Sequence, residues 1–205
     1  MKTKSFILIE AAAVIGIILT ILITVITSFA DDYKSITDNV LRLHILANSD
    51  SDSDQELKLK VRDEILKETS SIFEASADIN AAKAAAAAAL PEIERIAKET
   101  VIANGYDYPV YAELTKMQFD TRVYGDITMP AGEYDAIRIT IGEAEGKNWW
   151  CVMFPPLCIP AVIADEPIEV FNGVLDESEE DILTNPQKYE ARFFILDLIN
   201  DIKSE

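Results

Sequence analysis

From Ala11 to Ala30 no side chain carries a charge, and residues 14–26 are β-branched or aliphatic at nearly every position. A helix built from this run is apolar on every side, which argues against the core helix of a soluble protein, because such helices keep a polar stripe. A hydrocarbon core about 30 Å thick takes roughly 20 apolar residues as a helix, and the run supplies them. The segment therefore reads as a membrane helix. Lys2 and Lys4 precede it and Asp31 and Asp32 follow it, so the lysines hold the N-terminus in the cytoplasm and the rest is carried across. Ser28-Phe29-Ala30 is a small-x-small triplet of the kind signal peptidase uses. The apolar run nevertheless exceeds the roughly 7–15 residues of an ordinary signal-peptide core. Cleavage and retention as a signal anchor both stay open at this point.

The 205 residues suffice for one ordinary domain beyond the membrane segment, but not for two with separate cores. The expected division is a signal peptide or signal anchor over residues 1–30, an exported domain over 31–164, and an acidic linker with a C-terminal amphipathic helix over 165–205. Net charge is −18; without Lys2, Lys4 and Glu10 the exported part holds 16 basic and 35 acidic residues. Nucleic acid is excluded as a partner, since phosphate binding needs a basic surface. Two cysteines, Cys151 and Cys158, do not make a disulfide-dense scaffold, so the core must come from ordinary packing.

Residues 40–47 alternate, with Leu41, Leu43, Ile45 and Ala47 on one face and Arg42, His44 and Leu46 on the other, the pattern of a half-buried strand. A polar loop over 48–53 follows, and Ser53 with Glu56 forms a capping-box pattern for a helix running to about Phe73. Asp78 can cap a second helix through the alanine tract 81–89; Pro91 should kink or restart it, and Asn104-Gly105 should end it. Residues 110–115 and 137–141 alternate as strands, with a turn at Pro130-Ala131-Gly132. Trp149-Trp150-Cys151-Val152-Met153-Phe154 reads as a buried strand closing at Pro155-Pro156. The order β, α, α, β, β, β with a C-terminal helix near residues 187–202 predicts an α+β fold, an antiparallel sheet with helices. Residues 165–181, acidic and weakly periodic, read as an exposed linker or loosely held arm.

The parts for chemistry are sparse. His44 is the sole histidine, and with Cys151 or Cys158 it meets the minimum for a cysteine hydrolase. Neither cysteine stands at a helix N-terminus or a basic site that would favour a thiolate, so structural thiols or a local disulfide are expected instead. Asp50-Ser51-Asp52-Ser53-Asp54 resembles the opening of a calcium loop, but Gln55 replaces the turn glycine and Val61 the bidentate glutamate. Zinc would need more clustered ligands than one histidine and a C-x6-C pair provide. No metal and no cofactor is expected.

Four motifs carry a family resemblance. They are Leu41-Arg42-Leu43-His44-Ile45-Leu46-Ala47-Asn48-Ser49-Asp50, the run from Asp54 to Asp63, Met129-Pro130-Ala131-Gly132-Glu133-Tyr134-Asp135-Ala136, and the run from Asn148 to Cys158. In this order they resemble the stage II sporulation protein R family of endospore-forming bacteria. The resemblance implies a signalling protein made in the forespore and exported into the intermembrane space. There it would trigger a membrane-embedded aspartic protease, the sigma-E processing peptidase, which removes the pro-sequence of sigma-E. It carries over no catalytic residue. For such a ligand the candidate contact residues are Arg42, His44, Asn48, Asp50, Asp54, Arg62, Trp149 and Trp150, with Cys151 and Cys158 as a possible disulfide. The alternative from another class is an exported Cys/His hydrolase acting on cell-wall material.

Overall fold

An unbroken helix, α1 (Lys2–Asp38), leads into the domain; the computed structural model describes residues 2–156 and 173–196, with side chains from Phe6 onward. α1 is the one helix among the described residues long and apolar enough to cross a membrane, with a mean hydropathy of 2.8 over its most apolar stretch and none of that stretch buried by protein. Its hydroxyls are satisfied internally: Thr20 Oγ1 donates to the Gly16 carbonyl (2.8 Å) and Thr24 Oγ1 to that of Thr20 (2.9 Å). This is how a polar side chain is tolerated where water is absent. The helix does not stop at Ala30. Phe29, Ile36 and Thr37 are buried, so the last turns of α1 belong to the domain.

Strand β1 (Leu41–Leu46) follows, then α2 (Asp52–Glu74) and α3 (Ile79–Ala103). Ser51, not Ser53, caps α2 by accepting from the Asp54 N–H. Asp78 caps α3 as expected, by accepting from the Ala81 N–H, and α3 runs through Pro91 as one helix to its cap at Asn104. Next come β2 (Val110–Phe119), a short hairpin of β3 (Arg122–Tyr124) and β4 (Ile127–Met129), then β5 (Gly132–Ile141) and β6 (Asn148–Phe154). The main sheet has the order β2-β5-β1-β6. The α+β class holds, but the sheet is mixed: β1 runs parallel to β5, while β2–β5 and β1–β6 are antiparallel. The parallel pairing follows from the α2–α3 crossover, which returns the chain to the far side of β5.

One sheet face packs Leu41, Leu43, Ile45, Ile137, Ile139 and Ile141 against Leu57, Val61 and Ile65 of α2 and Ile93, Ala97 and Val101 of α3. The other face carries a second core, in which Ala136, Tyr134, Phe119 and Val152 meet Phe29 and Ile36 of α1, Met129 of β4, and Ile182 and Leu183 of α4 (Glu177–Thr184). Both faces of β1 are thus covered. The expected half-buried strand is a central strand instead, with Arg42 0% and His44 3% exposed. The acidic C-terminal part also differs from a loose arm: Leu175, Ile182 and Leu183 are buried, and Asp176 with Glu179 makes a complete capping box for α4. A 3-10 turn (Pro186–Tyr189) and a helical run over residues 190–196 follow. Residues 165–172 of the expected linker and 197–202 of the expected helix lie outside the described residues.

Candidate functional site

The polar loop after β1 does not float; it is bolted to the β5–β6 turn. Asn48 Oδ1 accepts from the Glu143 N–H (3.0 Å), Asp50 Oδ1 from the Lys147 N–H (2.6 Å), and the Ala47 carbonyl from the Gly146 N–H (3.0 Å). Beneath them Asp54, 4% exposed, accepts at Oδ2 from Asn48 Nδ2 (2.9 Å) and Ser49 Oγ (2.6 Å). Burial works to raise the Asp54 pKa, but hydrogen bonds from Ser49, Asn48, Tyr108 and Ser51 outweigh it and hold the carboxyl below its ordinary value. Among the described residues its Oδ1 has no hydrogen bond of full geometry. Lys58, also 4% exposed, donates from Nζ to Gln55 Oε1 (2.6 Å) and the Lys147 carbonyl (2.8 Å). Burial pushes its ammonium below the usual lysine range, with Asp50 opposing.

A turn of α2 further on, the Arg62 guanidinium lies 4.3 Å from the Trp149 ring centroid and pairs with Asp63 at 2.5 Å. Of the residues singled out in the sequence, Asn48, Asp50 and Asp54 therefore lie together, with Arg62 and Trp149 on the same helix-covered side. Asn48 and Asp54 are internal struts. Asp50, Ser51, Asp52, Ser53, Lys147 and Asn148 form the exposed rim. Lys58 was not singled out from the sequence, because a lysine on an amphipathic helix reads as solvated; only the Lys147 carbonyl, 89 residues away, gives it a buried role.

Arg42, His44 and Trp150 lie on the opposite face of the sheet; Arg42 and His44 are buried, which takes them off a contact surface, while Trp150 is half-buried against the second core. The Arg42 guanidinium sits 4.2 Å from the Phe119 ring centroid, 4.9 Å from Tyr134 and 5.9 Å from Tyr124, and Nη2 donates to the Tyr124 hydroxyl (2.8 Å). Among the described residues its Nε and Nη1 have no hydrogen bond of full geometry, so the cation is held by π faces and by the phenols of Tyr124 and Tyr134. The His44 ring stacks on Trp150, 3.8 Å apart and 1° from parallel, and its Nε2 meets Asn148 Oδ1 at 2.9 Å. With an amide oxygen as acceptor, Nε2 carries the proton. Burial lowers the His44 pKa to about 4, against a raising hydrogen bond from Asn148. The imidazole is thus buried and neutral at pH 7, packed on Trp150 and bonded to Asn148.

That shift sets a pH dependence. The unfolded histidine takes up a proton near pH 6.5 and the folded one only near 4, so stability present above pH 6.5 is lost as pH falls through that window, up to about 3 kcal/mol. Denaturant midpoints measured from pH 7.5 to 4 should decline accordingly, and His44→Gln should flatten the decline; an unchanged slope in the variant would place its cause elsewhere.

Cys151 is buried and disulfide-bonded; Cys158, its expected partner, lies outside the described residues. Thiol labelling of the denatured, unreduced protein should find no free thiol, whereas two labelled cysteines would exclude the bridge. No group of three or more His, Cys, Asp or Glu among the described residues is placed to hold a metal.

Sheet, helices and loop edge define an α+β domain joined without a break to a helix of membrane-spanning length and composition. The chain belongs to the stage II sporulation protein R family, whose model matches residues 37–163. The stage II sporulation protein R of Bacillus subtilis (strain 168) is 38% identical to it over 187 residues, covering 82% of this chain and 84% of that protein. No solved structure matches the chain at a significant level.

Proposed function

We propose that this chain is an exported sporulation signal, made in the forespore, that activates the membrane-embedded sigma-E processing peptidase across the intermembrane space by direct binding. Family membership supports the sporulation role. The observation that favours binding over chemistry is His44, whose Nε2 is engaged by Asn148 and whose ring is sandwiched in the second core. An exported Cys/His hydrolase would need that imidazole free beside a thiolate.

The rim of Asp50, Ser51, Asp52, Ser53 and Lys147, with Arg62 and Trp149 alongside, is the contact surface in this reading. It is pre-organised by the Asn48, Asp54 and Lys58 struts, which limits the ordering cost of binding. A ligand switches a receptor only through differential affinity for its active state, about 5.5 kcal/mol for a shift from mostly inactive to mostly active. A rigid surface can deliver such a difference.

The test is co-expression of peptidase, pro-sigma-E and this chain in a host without sporulation genes. Processing should depend on the chain, survive His44→Gln, and fall when the rim is reversed in charge by Asp50→Lys with Asp52→Lys. Absence of processing with all three proteins present and correctly localised would refute the reading.

A further inference from the structure

Phe29 stands one place before Ala30, where signal peptidase would cut, yet it is only 1% exposed. Its ring stacks on Tyr189 at 5.6 Å and 8° and meets Phe193 edge-on at 5.0 Å and 79°. Arg192 brings its guanidinium to 5.7 Å from the Phe29 centroid and 4.9 Å from that of Tyr189. One turn on, Tyr33 contacts Phe193 at 6.0 Å and donates its hydroxyl to the Ala131 carbonyl, and Ile36 is fully buried. The stretch that a cleaved signal peptide needs extended is here helical, with Phe29 buried in the second core while Thr27 and Ser28 stay exposed.

The same contacts fix where the C-terminal segment lies. With a rise of about 1.5 Å per residue, Phe29 is only about 4–5 Å along the axis from Ile26, the end of the aliphatic run. Residues 186–196, clamped on Phe29 and Tyr33, therefore sit at the level where α1 leaves the hydrocarbon. Phe194, at the rim of the cleft between this segment and Thr121, Thr128 and Pro130, is 69% exposed there. An exposed phenylalanine beside an arginine, continuous with a membrane helix, matches the composition of a membrane–water interface.

We propose that α1 is a retained anchor and that the bilayer covers the Phe194 face, so that residues 186–196 rest on the outer leaflet and fix the exported domain flat against the membrane. The proposal rests on α1 crossing the membrane and is independent of any peptidase. It holds the domain at its own membrane, so a partner across the intermembrane space must reach it there.

Full-length protein bearing a C-terminal tag, produced in an exporting bacterial host, should keep its intact mass and resist alkaline carbonate extraction. A product beginning at Asp31, or any soluble form cut between residues 26 and 38, would overturn retention. In phosphatidylcholine–phosphatidylglycerol nanodiscs, a nitroxide on Phe194→Cys should show a higher oxygen-to-nickel accessibility ratio than one on Asp52→Cys; equal ratios would overturn the bilayer contact. Phe29→Ala in the same nanodiscs should speed proteolysis within residues 186–196 by about tenfold or more. Unchanged protection would show that α1 does not clamp that segment.

Discussion

Alanine at Gly142 or Gly146 is expected to destabilise the domain by about 3 kcal/mol or more, because each glycine is where two backbones touch. A Cβ on Gly146 would fall 2.2 Å from the Ser49 carbonyl oxygen, an atom of the main chain that cannot swing aside. A Cβ on Gly142 would meet Asn48 Oδ1 at 2.1 Å, and the residue has φ +62°, a conformation that adds roughly 1–2 kcal/mol for any L side chain. Either change must break the Asn48–Glu143 and Ala47–Gly146 hydrogen bonds that bolt the loop down, and would release Asp54 and Lys58 from their partners. Gly125→Ala is the control: its φ is +60°, but nothing lies within 4 Å of the added carbon, so only the conformational cost of about 1–2 kcal/mol applies. Urea unfolding of the detergent-solubilised chain, followed by tryptophan fluorescence, separates the two. Losses at Gly142 and Gly146 no larger than at Gly125 would mean that the loop and turn are not locked. In the co-expression assay the two lock variants should also process less pro-sigma-E than Gly125→Ala, since the proposed contact rim is the outside of this lock.

Local periodicity made most elements of the main sheet and both crossover helices readable, because α2, α3 and β6 declare themselves within a few residues through caps, apolar spacing and turn residues. What failed to show was non-local. Arg42 and His44 look like the wet side of a strand until Phe119, Tyr124, Tyr134 and Trp150 arrive from 75 to 108 positions away to enclose them. The β3–β4 hairpin escaped because its strands are three residues each, although Gly125-Asp126 between Tyr124 and Ile127 was a usable turn signal. The segment from Asp176 to Glu179 does carry a capping signature, masked by the acidity that suggested a solvated arm. The extension of α1 to Asp38 had no composition break to mark it other than the onset of charge. At the candidate site, clustering of the 48–54 loop was legible as a motif, while its division into internal struts and exposed rim depended on the turn at residues 142–147.

Arg42 offers the larger contrast, since truncating it and replacing it by an apolar side chain should differ sharply. Arg42→Ala should cost about 3–5 kcal/mol, because it empties the space between Phe119, Tyr134 and Tyr124 at a point with no exposure to water. Arg42→Met nearly refills that volume. It gives up the cation–π contacts, each worth up to about 2 kcal/mol when desolvated, and the Tyr124 hydrogen bond. It also removes a buried guanidinium whose Nε and Nη1 make no hydrogen bond of full geometry among the described residues, and whose desolvation runs to several kcal/mol. The two sides nearly cancel, so the methionine variant should stay within about 1.5 kcal/mol of the parent. Arg42→Lys should fall on the alanine side: an ammonium is a compact, strongly hydrated charge that cannot lie flat on three rings, and among the described residues no carboxylate pairs with Arg42. Urea midpoints for the three variants give the order directly. If methionine proved as damaging as alanine, the charge itself would be what holds the second core together, and with it the seat of α1 against the sheet.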